Sequence, residues 1–276
     1  MCPEDKFTVV QRLQAQGHVT GMTGDGVNDA PALRQAEVGI AVSSATDVAK
    51  SAASVVLTDA GLANIVSLVE QGRSIYQRVL TWIVNKVSRT ILKAGFVAIA
   101  YLATGRFIIS ALAMLLLTFM TDFAKVSLAT DNVRPSRKPE TWNIGGFVTV
   151  SVTLGVAMLA EALVCLAVGW NRFGLNANPA ALCTFSFLTL LYFAAFSIVS
   201  ARERRRYWAS APSRTLIAAL VAEVLIGTGL PFVGLRDFAP LPVSQILAVF
   251  GYAGLCCLVM NDTLKVVMLR WRAPDA

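Results

Sequence analysis

Charged residues are scarce in this sequence: only 15% of its 276 residues are Asp, Glu, Lys or Arg, whereas 55% are hydrophobic. Such a composition excludes an ordinary water-soluble globular protein for most of the chain. Histidine is represented by His18 alone, and the five cysteines show no C-x-x-C spacing. Four of these cysteines lie in apolar runs, where cysteine behaves as a small hydrophobe, so we predict no redox or metal site from them.

Apolar runs of membrane-spanning length are also missing from the first sixty residues, but six of them follow. Their lengths suit helices that cross a bilayer, and we predict six spans over 83–104, 107–129, 146–169, 181–200, 216–235 and 246–269. The polar N-terminus has no secretory signal. We therefore expect a multi-pass protein of the plasma (inner) membrane with both termini in the cytoplasm.

The distribution of basic residues agrees with this topology. The loops and tail predicted to be cytoplasmic, together with Lys265 near the end of the last span, hold eleven Lys and Arg residues, whereas the outer loops hold three. This asymmetry follows the positive-inside rule and accounts for the formal net charge of +7. We therefore expect the lipid bilayer, and no nucleic acid, as a partner. The densest group, Arg202 to Arg206, is interpreted as a topology anchor.

Four ionisable residues attract attention within the predicted spans, because a charge in the hydrocarbon layer costs several kcal/mol unless it is paired or hydrated. Lys93, Asp122, Glu161 and Glu223 lie in four different spans. Asp122 is too deep to reach the outer interface, so we predict that it faces a cavity or a partner such as Lys125, three positions on. Glu161 and Glu223 are interpreted as structural pairs or contacts with the lipid interface.

The N-terminal part contains a compact group of polar residues. An apolar stretch from His18 to Met22 leads into a Gly-Asp-Gly turn, and a predicted helix follows. Two carboxylates, Asp25 and Asp29, are four residues apart and offer the hard oxygen ligands that Mg²⁺ prefers. Gly24 and Gly26 allow a sharp turn and close approach to an anion. Because Asp-Gly turns are common, the spacing alone is also consistent with a plain turn.

Short β-branched runs at 38–42 and 55–57 predict buried parallel strands, with a helix over 46–53 between them. We therefore predict that residues 1–60 form the second half of an α/β domain. A charged helical segment over 61–82 would follow as a stalk, and residues 83–272 would form an all-α bundle of six transmembrane helices.

The string T-G-D-G-V-N-D-A-P-A-L resembles the hinge signature of P-type cation-transporting ATPases, which share a haloacid-dehalogenase-like phosphorylation domain. The resemblance implies that Asp25 binds Mg²⁺ and that Asn28 and Asp29 support the phosphoryl group and the metal. The upstream P-E-D-K is similar to the segment whose lysine contacts the aspartyl phosphate, which assigns that role to Lys6. The implied cofactors are Mg²⁺ and ATP.

Two segments, 72–78 and 130–142, are similar to parts of the plasma-membrane proton pumps (type III). In those pumps a basic residue accompanies an aspartate that accepts the proton, and Lys93 and Asp122 match this pair. The resemblance implies that Asp122 is the proton acceptor and Lys93 the gate or counter-charge. Lysine replaces the arginine of the plant pumps, and Thr121 replaces their asparagine. Sparse membrane carboxylates favour H⁺, with Ca²⁺ or Mg²⁺ as alternative cargoes.

The sequence has no Asp-Lys-Thr-Gly phosphoacceptor motif and no nucleotide-binding domain. Phosphoryl transfer needs nucleotide, metal and nucleophile together, so we expect this chain alone to be inactive and ATP to bind mainly to a missing N-terminal half. Two alternatives remain from the sequence. The chain could be a non-catalytic membrane remnant or split-pump subunit, or a membrane-tethered haloacid-dehalogenase-type phosphatase.

Overall fold

A computed structural model describes residues 3–61, 63–133, 144–233, 235 and 237–272. The chain divides into two compact units, Met1–Gly72 and Arg73–Ala276, and each is described by itself. The boundary between them lies inside a helix, within the predicted stalk. Most of the loop that resembles the proton pumps, residues 134–142, lies outside the described residues.

The first unit is built on a three-stranded parallel sheet in the order β1-β2-β3. Parallel neighbours need crossover connections, which short helices supply here. The strands are β1 (Gly21–Gly24), β2 (Val38–Ala41) and β3 (Val55–Val56), and the helices are α1 (Pro3–Ala15), α2 (Ala30–Gln35) and α3 (Asp47–Ala52). The α/β prediction for this unit is confirmed, with strand bounds within three residues of those expected.

The core of the first unit lies where the sheet meets α2 and α3. Leu33, Ala41 and Ala49 are fully buried and pack together. A Cβ atom at Gly39 would overlap the carbonyl of Leu33, so only glycine allows β2 to lie directly against α2. This contact fixes the start of β2 beside the C-terminal half of α2.

Helix α1 was not predicted from the sequence. It buries one apolar side chain, Val10, against Ala32 and Ala36, while most of its other residues are exposed or half-buried. A helix with so narrow an apolar stripe gives little periodic signal. Its position matters because it carries Lys6.

The second unit is helical. Six described helices are long and apolar enough to cross a membrane, which confirms the predicted number and order: Ala63–Thr104, Ala111–Thr130, Gly145–Asn171, Pro179–Ala201, Arg214–Phe232 and Val243–Trp271. Their regular parts are α4 (Ala63–Thr104), α5 (Ala111–Val126), α6 (Ile144–Asn171), α7 (Pro179–Ala201), α8 (Arg214–Gly229), α9 (Val243–Leu255) and α10 (Asp262–Arg272). A π-helix, Cys256–Asn261, joins α9 to α10.

Helix α7 is the centre of the bundle. Of its most apolar stretch, 89% is buried, compared with 22–39% for the other five spans, and it packs against α5, α6, α8 and α9. Helices α4 and α6 approach closely at small residues: a Cβ at Gly155 would lie 3.0 Å from the carbonyl oxygen of Ser88. Small residues allow such contact between membrane helices, where apolar burial gives little preference between protein and lipid.

Candidate functional site

The loop after β1 carries the residues predicted to hold magnesium. β1 ends at Gly24 and Asp25 follows directly, which places Asp25 at the carboxyl end of the parallel sheet, where α/β folds bind ligands. The Asp25 side chain is exposed, while its carbonyl accepts a hydrogen bond of 2.9 Å from the amide of Thr46. Asn28 is exposed in the 3-10 turn that leads into α2. The turn thus presents a carboxylate and a side-chain amide at one edge.

Asp29 stabilises the conformation of the loop that follows β1. It is buried, its Oδ1 accepts a hydrogen bond of 2.5 Å from Lys6 Nζ, and its Oδ2 accepts from the amides of Asp25 and Gly26 at 3.2 and 3.3 Å. The hydrogen bond from Lys6 lowers the pKa of Asp29 below its ordinary value, although burial acts in the opposite direction. Asp29 is therefore a carboxylate at neutral pH that holds both Lys6 and the loop.

Gly24 and Gly26 differ in whether the structure requires glycine at their positions. A Cβ at Gly24 would lie 2.6 Å from the Cβ of Asp29, so the close approach of these two residues requires glycine. Gly26 has a φ of −101°, which any residue adopts. The sharp-turn interpretation therefore does not explain Gly26, whose amide contributes to the loop by donating to Asp29.

Asp25 and Asp29 differ in what they can offer a metal ion. Both oxygens of Asp29 already accept hydrogen bonds, whereas the Asp25 side chain is exposed. Mg²⁺ in phosphoryl-transfer sites takes one or two carboxylates together with phosphate oxygens and water, and Asp25 fits that need. The metal-ligand role of Asp29 stays a prediction. Lys6 adds a compact positive charge that suits a phosphoryl oxygen.

A second carboxylate, Glu37, ties α1, β1 and α2 together. Its Oε2 accepts from the hydroxyl and the amide of Thr20 at 2.6 and 2.8 Å, and its Oε1 accepts from Gln14 at 2.9 Å. The hydrogen bonds from Thr20 lower the pKa of Glu37 to about 2. Sequence inspection did not identify this residue, because a lone glutamate after a short helix has no distinctive pattern.

Acid is expected to weaken the first unit. Asp29 and Glu37 both have lowered pKa values in the folded chain, so the stability they contribute is present above their ordinary values of 3.8 and 4.5 and is lost as the pH falls. We expect the urea concentration that opens peptides from residues 18–42 to be lower at about pH 3 than at about pH 6. Amide hydrogen exchange of the full chain, read by mass spectrometry, measures this.

The replacement Asp29→Asn should flatten that pH dependence more than Glu37→Gln, because Glu37 is exposed and solvent screens its interactions. Each variant is compared with the unchanged chain at both pH values. Equal urea midpoints at the two pH values in the unchanged chain would contradict the prediction.

Ionisable side chains of the second unit gather between α4, α5 and α8. We call this group the charge cluster; its members are Lys86, Arg89, Lys93, Asp122, Lys125 and Glu223. Asp122 lies 2.5 Å from Lys125, which is 8% exposed, so the predicted partner is the one observed. Lys93 donates instead to the hydroxyl of Thr121 at 3.2 Å, and the structure contains no direct contact between Lys93 and Asp122 among its described ion pairs.

Asp122 also faces open space, as the sequence predicted. It lines a groove of about 470 Å³ between α4 and α5 together with Lys93 and Thr118. Almost half of its side-chain surface (47%) is exposed. The carboxylate thus has one amine in contact, two further amines, Lys86 and Lys93, on the same groove, and an exposed face.

Two further members of the cluster were overlooked or misjudged in the sequence. Arg89, one turn before Lys93 in α4, is 2% exposed, and Glu223 in α8 is 4% exposed. Within the described part of the chain, neither the three guanidinium nitrogens nor the two carboxylate oxygens have a hydrogen-bond partner. Glu223, interpreted from the sequence as a structural pair or a contact with the lipid interface, is buried and makes no hydrogen bond that would pair it. Arg89 could have been found by extending the search for span charges to every basic residue.

Glu161, by contrast, has the structural pairing that was predicted. Its Oε2 accepts a hydrogen bond of 2.7 Å from Asn261, which closes the π-helix between α9 and α10. The carbonyl of Glu161 accepts from the hydroxyl of Tyr252 at 3.0 Å. These bonds join α6 to the last span, at a distortion of the kind that often marks a functional region.

A buried ion pair closes the bundle where α5 and α7 end and α8 begins. Arg202 Nε donates to Asp131 Oδ2 at 2.7 Å, and both side chains are 1% exposed. The other oxygen of Asp131 accepts from the amide of Ser213 at 2.8 Å, and its carbonyl accepts from Arg78 of α4 at 2.8 and 3.1 Å. Arg202 is therefore a packed structural residue as well as a basic residue near the membrane edge.

Comparison with known proteins finds a matching family model for each of the two units. A family model described as "Cation transporting ATPase, C-terminus" matches residues 106–267, and one described as a haloacid dehalogenase-like hydrolase matches residues 8–65. A protein of Methanocaldococcus jannaschii, named as a cation-transporting ATPase, is 34% identical over 269 residues. The match covers 97% of this chain and 33% of the relative, so the chain spans about a third of that protein's length.

Proposed function

Because the chain belongs to the P-type cation-transporting ATPases and corresponds to their C-terminal part, we propose that it supplies the ion path and half of the phosphorylation site of an ATP-driven proton-export pump. The observation that carries the choice of ion is the composition of the charge cluster. It contains four basic and two acidic side chains.

That excess of positive charge suits a proton better than a bare divalent ion. Ca²⁺ requires six or more oxygen ligands and Mg²⁺ an octahedral set, usually with carboxylates that balance the charge. A divalent ion entering this cluster would meet more positive charges than negative ones. A proton needs only one carboxylate, which becomes neutral when the proton binds.

Asp122 carries the proton in this scheme. When it is ionised, Lys125 holds it at 2.5 Å, and Lys93 on the same groove provides a second positive charge. A movement that separates Asp122 from its amines favours protonation from groove water, and a movement that restores them favours release. Lys93 therefore acts as the gate or counter-charge, while its hydrogen bond to Thr121 fixes its position.

The first unit supplies the phosphorylation chemistry in part. We assign Asp25 as the ligand of Mg²⁺, which neutralises phosphoryl oxygens when bound, with Asn28 and the loop glycines beside the same group. Lys6 contacts the phosphoryl oxygens, and Asp29 orients Lys6 through its 2.5 Å contact. The nucleophilic aspartate and the nucleotide site are absent from this sequence, and other parts of the pump would provide them.

The membrane arrangement follows from the basic loops. The bundle lies in the plasma (inner) membrane with both termini in the cytoplasm, since that orientation keeps most Lys and Arg inside. The first unit is then on the side where ATP is available. Helix α4 runs without a break from Ala63 to Thr104, and so joins the stalk segment to the span that carries Lys93.

The test is transport by a complete pump, in which this chain is joined to the part of the relative's length that it does not cover. Inside-out vesicles containing that protein are expected to acidify on addition of ATP and Mg²⁺, as a pH-sensitive dye reports. Uptake of Ca²⁺ or Mg²⁺ without acidification would assign another cargo and overturn the proton proposal. ATP-dependent phosphoenzyme formation by the 276-residue chain alone would overturn the division of the phosphorylation site.

A further inference from the structure

Arg89 and Glu223 are a pair of buried charges that the proposed proton path does not yet use. They come from different helices, α4 and α8, and both are almost completely enclosed. The two opposite charges attract each other. They do not form a direct salt bridge, and in the described part of the chain their polar atoms have no hydrogen-bond partner.

Such an arrangement is energetically costly unless a further partner satisfies the hydrogen-bonding atoms of the two side chains. A buried ion loses several kcal/mol of hydration, and an unsatisfied hydrogen-bonding group adds to that loss. Water molecules between a guanidinium and a carboxylate satisfy the donors of one and the acceptors of the other. Lipid cannot do so, and no described side chain of α7 forms a hydrogen bond to either group.

Arg89 and Lys93 also differ in how permanent their charges are. Arginine does not lose its proton inside proteins, whereas a buried lysine can. Arg89 lies four residues before Lys93, on the same face of α4. The fixed positive charge of the cluster is therefore Arg89, and Lys93 is the basic residue that is free to change its state.

We propose that Glu223 is a second proton-binding carboxylate of the transport region, held by the fixed charge of Arg89 through bridging water; the proposal rests on the proposed proton transport. The proton comes from water in the charge cluster, binds a carboxylate oxygen of Glu223 and returns to water, and no other bond is made or broken. With Asp122, the path then contains two carboxylates on two helices.

The surroundings of Glu223 define its expected behaviour. Arg89 and Lys93 act on it from α4, and Lys125 acts on it from α5. The ionisable groups of α7 are Tyr192, whose hydroxyl bonds Thr228 at 2.8 Å, and Cys183, so α7 offers no second carboxylate. Removing the positive charge of Arg89 should make Glu223 easier to protonate, which moves its titration to higher pH.

Infrared difference spectroscopy of the purified full chain in lipid nanodiscs tests this assignment. On acidification, the carbonyl stretch of a newly protonated carboxylic acid should appear, and Glu223→Gln should remove it. Arg89→Gln should keep the band and raise its midpoint by about one pH unit or more. Glu161→Gln is the matched control, because Glu161 is a span carboxylate with its own partner, Asn261, and the Arg89-sensitive band should survive it.

The inference is overturned if Glu223→Gln removes no pH-dependent band, or if Arg89→Gln leaves every midpoint unchanged in a chain that melts as the unchanged protein does. If Glu223→Gln does not fold, Glu223→Asp provides a second test. It keeps a carboxylate and should therefore retain a band, with a different midpoint. In the complete pump, Glu223→Gln should shift the pH dependence of transport. If the complete pump acidifies vesicles but Glu223→Gln leaves the pH dependence of transport unchanged, only the inference about Glu223 fails. If the infrared band behaves as expected but the pump carries another cation, only the proposal of proton transport fails.

Discussion

Replacement of Asp122 by asparagine in the complete pump is expected to abolish vesicle acidification while phosphoenzyme formation remains measurable. Asparagine keeps the size of the side chain and its contact with Lys125, but it cannot bind and release a proton near neutral pH. Removing a positioned proton-transfer group typically costs 100-fold or more in rate, so we expect acidification to fall by at least about 100-fold. The phosphorylation residues are in the other unit, so the first chemical step should persist.

The matched control for this variant is Glu161→Gln. Glu161 is also a membrane carboxylate, but it is engaged by Asn261 and lies outside the charge cluster. We expect that variant to retain acidification within a few-fold of the unchanged pump. Acidification by Asp122→Asn at the ordinary rate would remove Asp122 from the path, and loss of phosphoenzyme in the same variant would indicate a general structural failure.

The second large effect is expected at the buried ion pair between Arg202 and Asp131. In Arg202→Met the side chain keeps much of its volume, but the Asp131 carboxylate stays buried with only the amide of Ser213 as a donor to it. Breaking one side of a buried ion pair typically costs about 3–5 kcal/mol. We therefore expect a clear fall in the melting temperature of the purified chain in detergent, with poor recovery of folded protein.

Arg205→Met is the control for the loss of a basic residue at the same membrane edge, because Arg205 is exposed. It should melt within experimental error of the unchanged chain. A double variant, Arg202→Met with Asp131→Leu, removes both charges and should be less destabilised than the two single changes added together. If Arg202→Met melts like Arg205→Met, the ion pair contributes nothing to stability and Arg202 serves topology alone.

The helical spans could be read from the sequence because one physical constraint dominates them. A backbone in lipid has to satisfy its own hydrogen bonds, and about twenty apolar residues are needed to cross, so length and hydropathy suffice. The same logic does not reveal local distortions. The segment Cys256–Met260 continues the apolar run, yet the helix widens there into a π-helix that ends at Asn261.

Charged residues were harder to judge, since the sequence gives their depth along a helix but not their neighbours. Arg202 heads a run of arginines that fits a topology anchor, and only the fold brings it to Asp131, seventy-one residues earlier. Arg89 differs from the other basic residues of α4 because its side chain is buried, and no local sequence pattern predicts that burial. The contact between Lys6 and Asp29 could be anticipated from the motif resemblance, although the helix that carries Lys6 was missed.

Helix α4 has a structural consequence that follows from its length. Its 42 residues rise about 63 Å, roughly twice the thickness of the hydrocarbon layer. About 30 Å of α4 is therefore more than one crossing of the hydrocarbon layer requires. This single helix is long enough to provide both a complete membrane span and an extension of similar length.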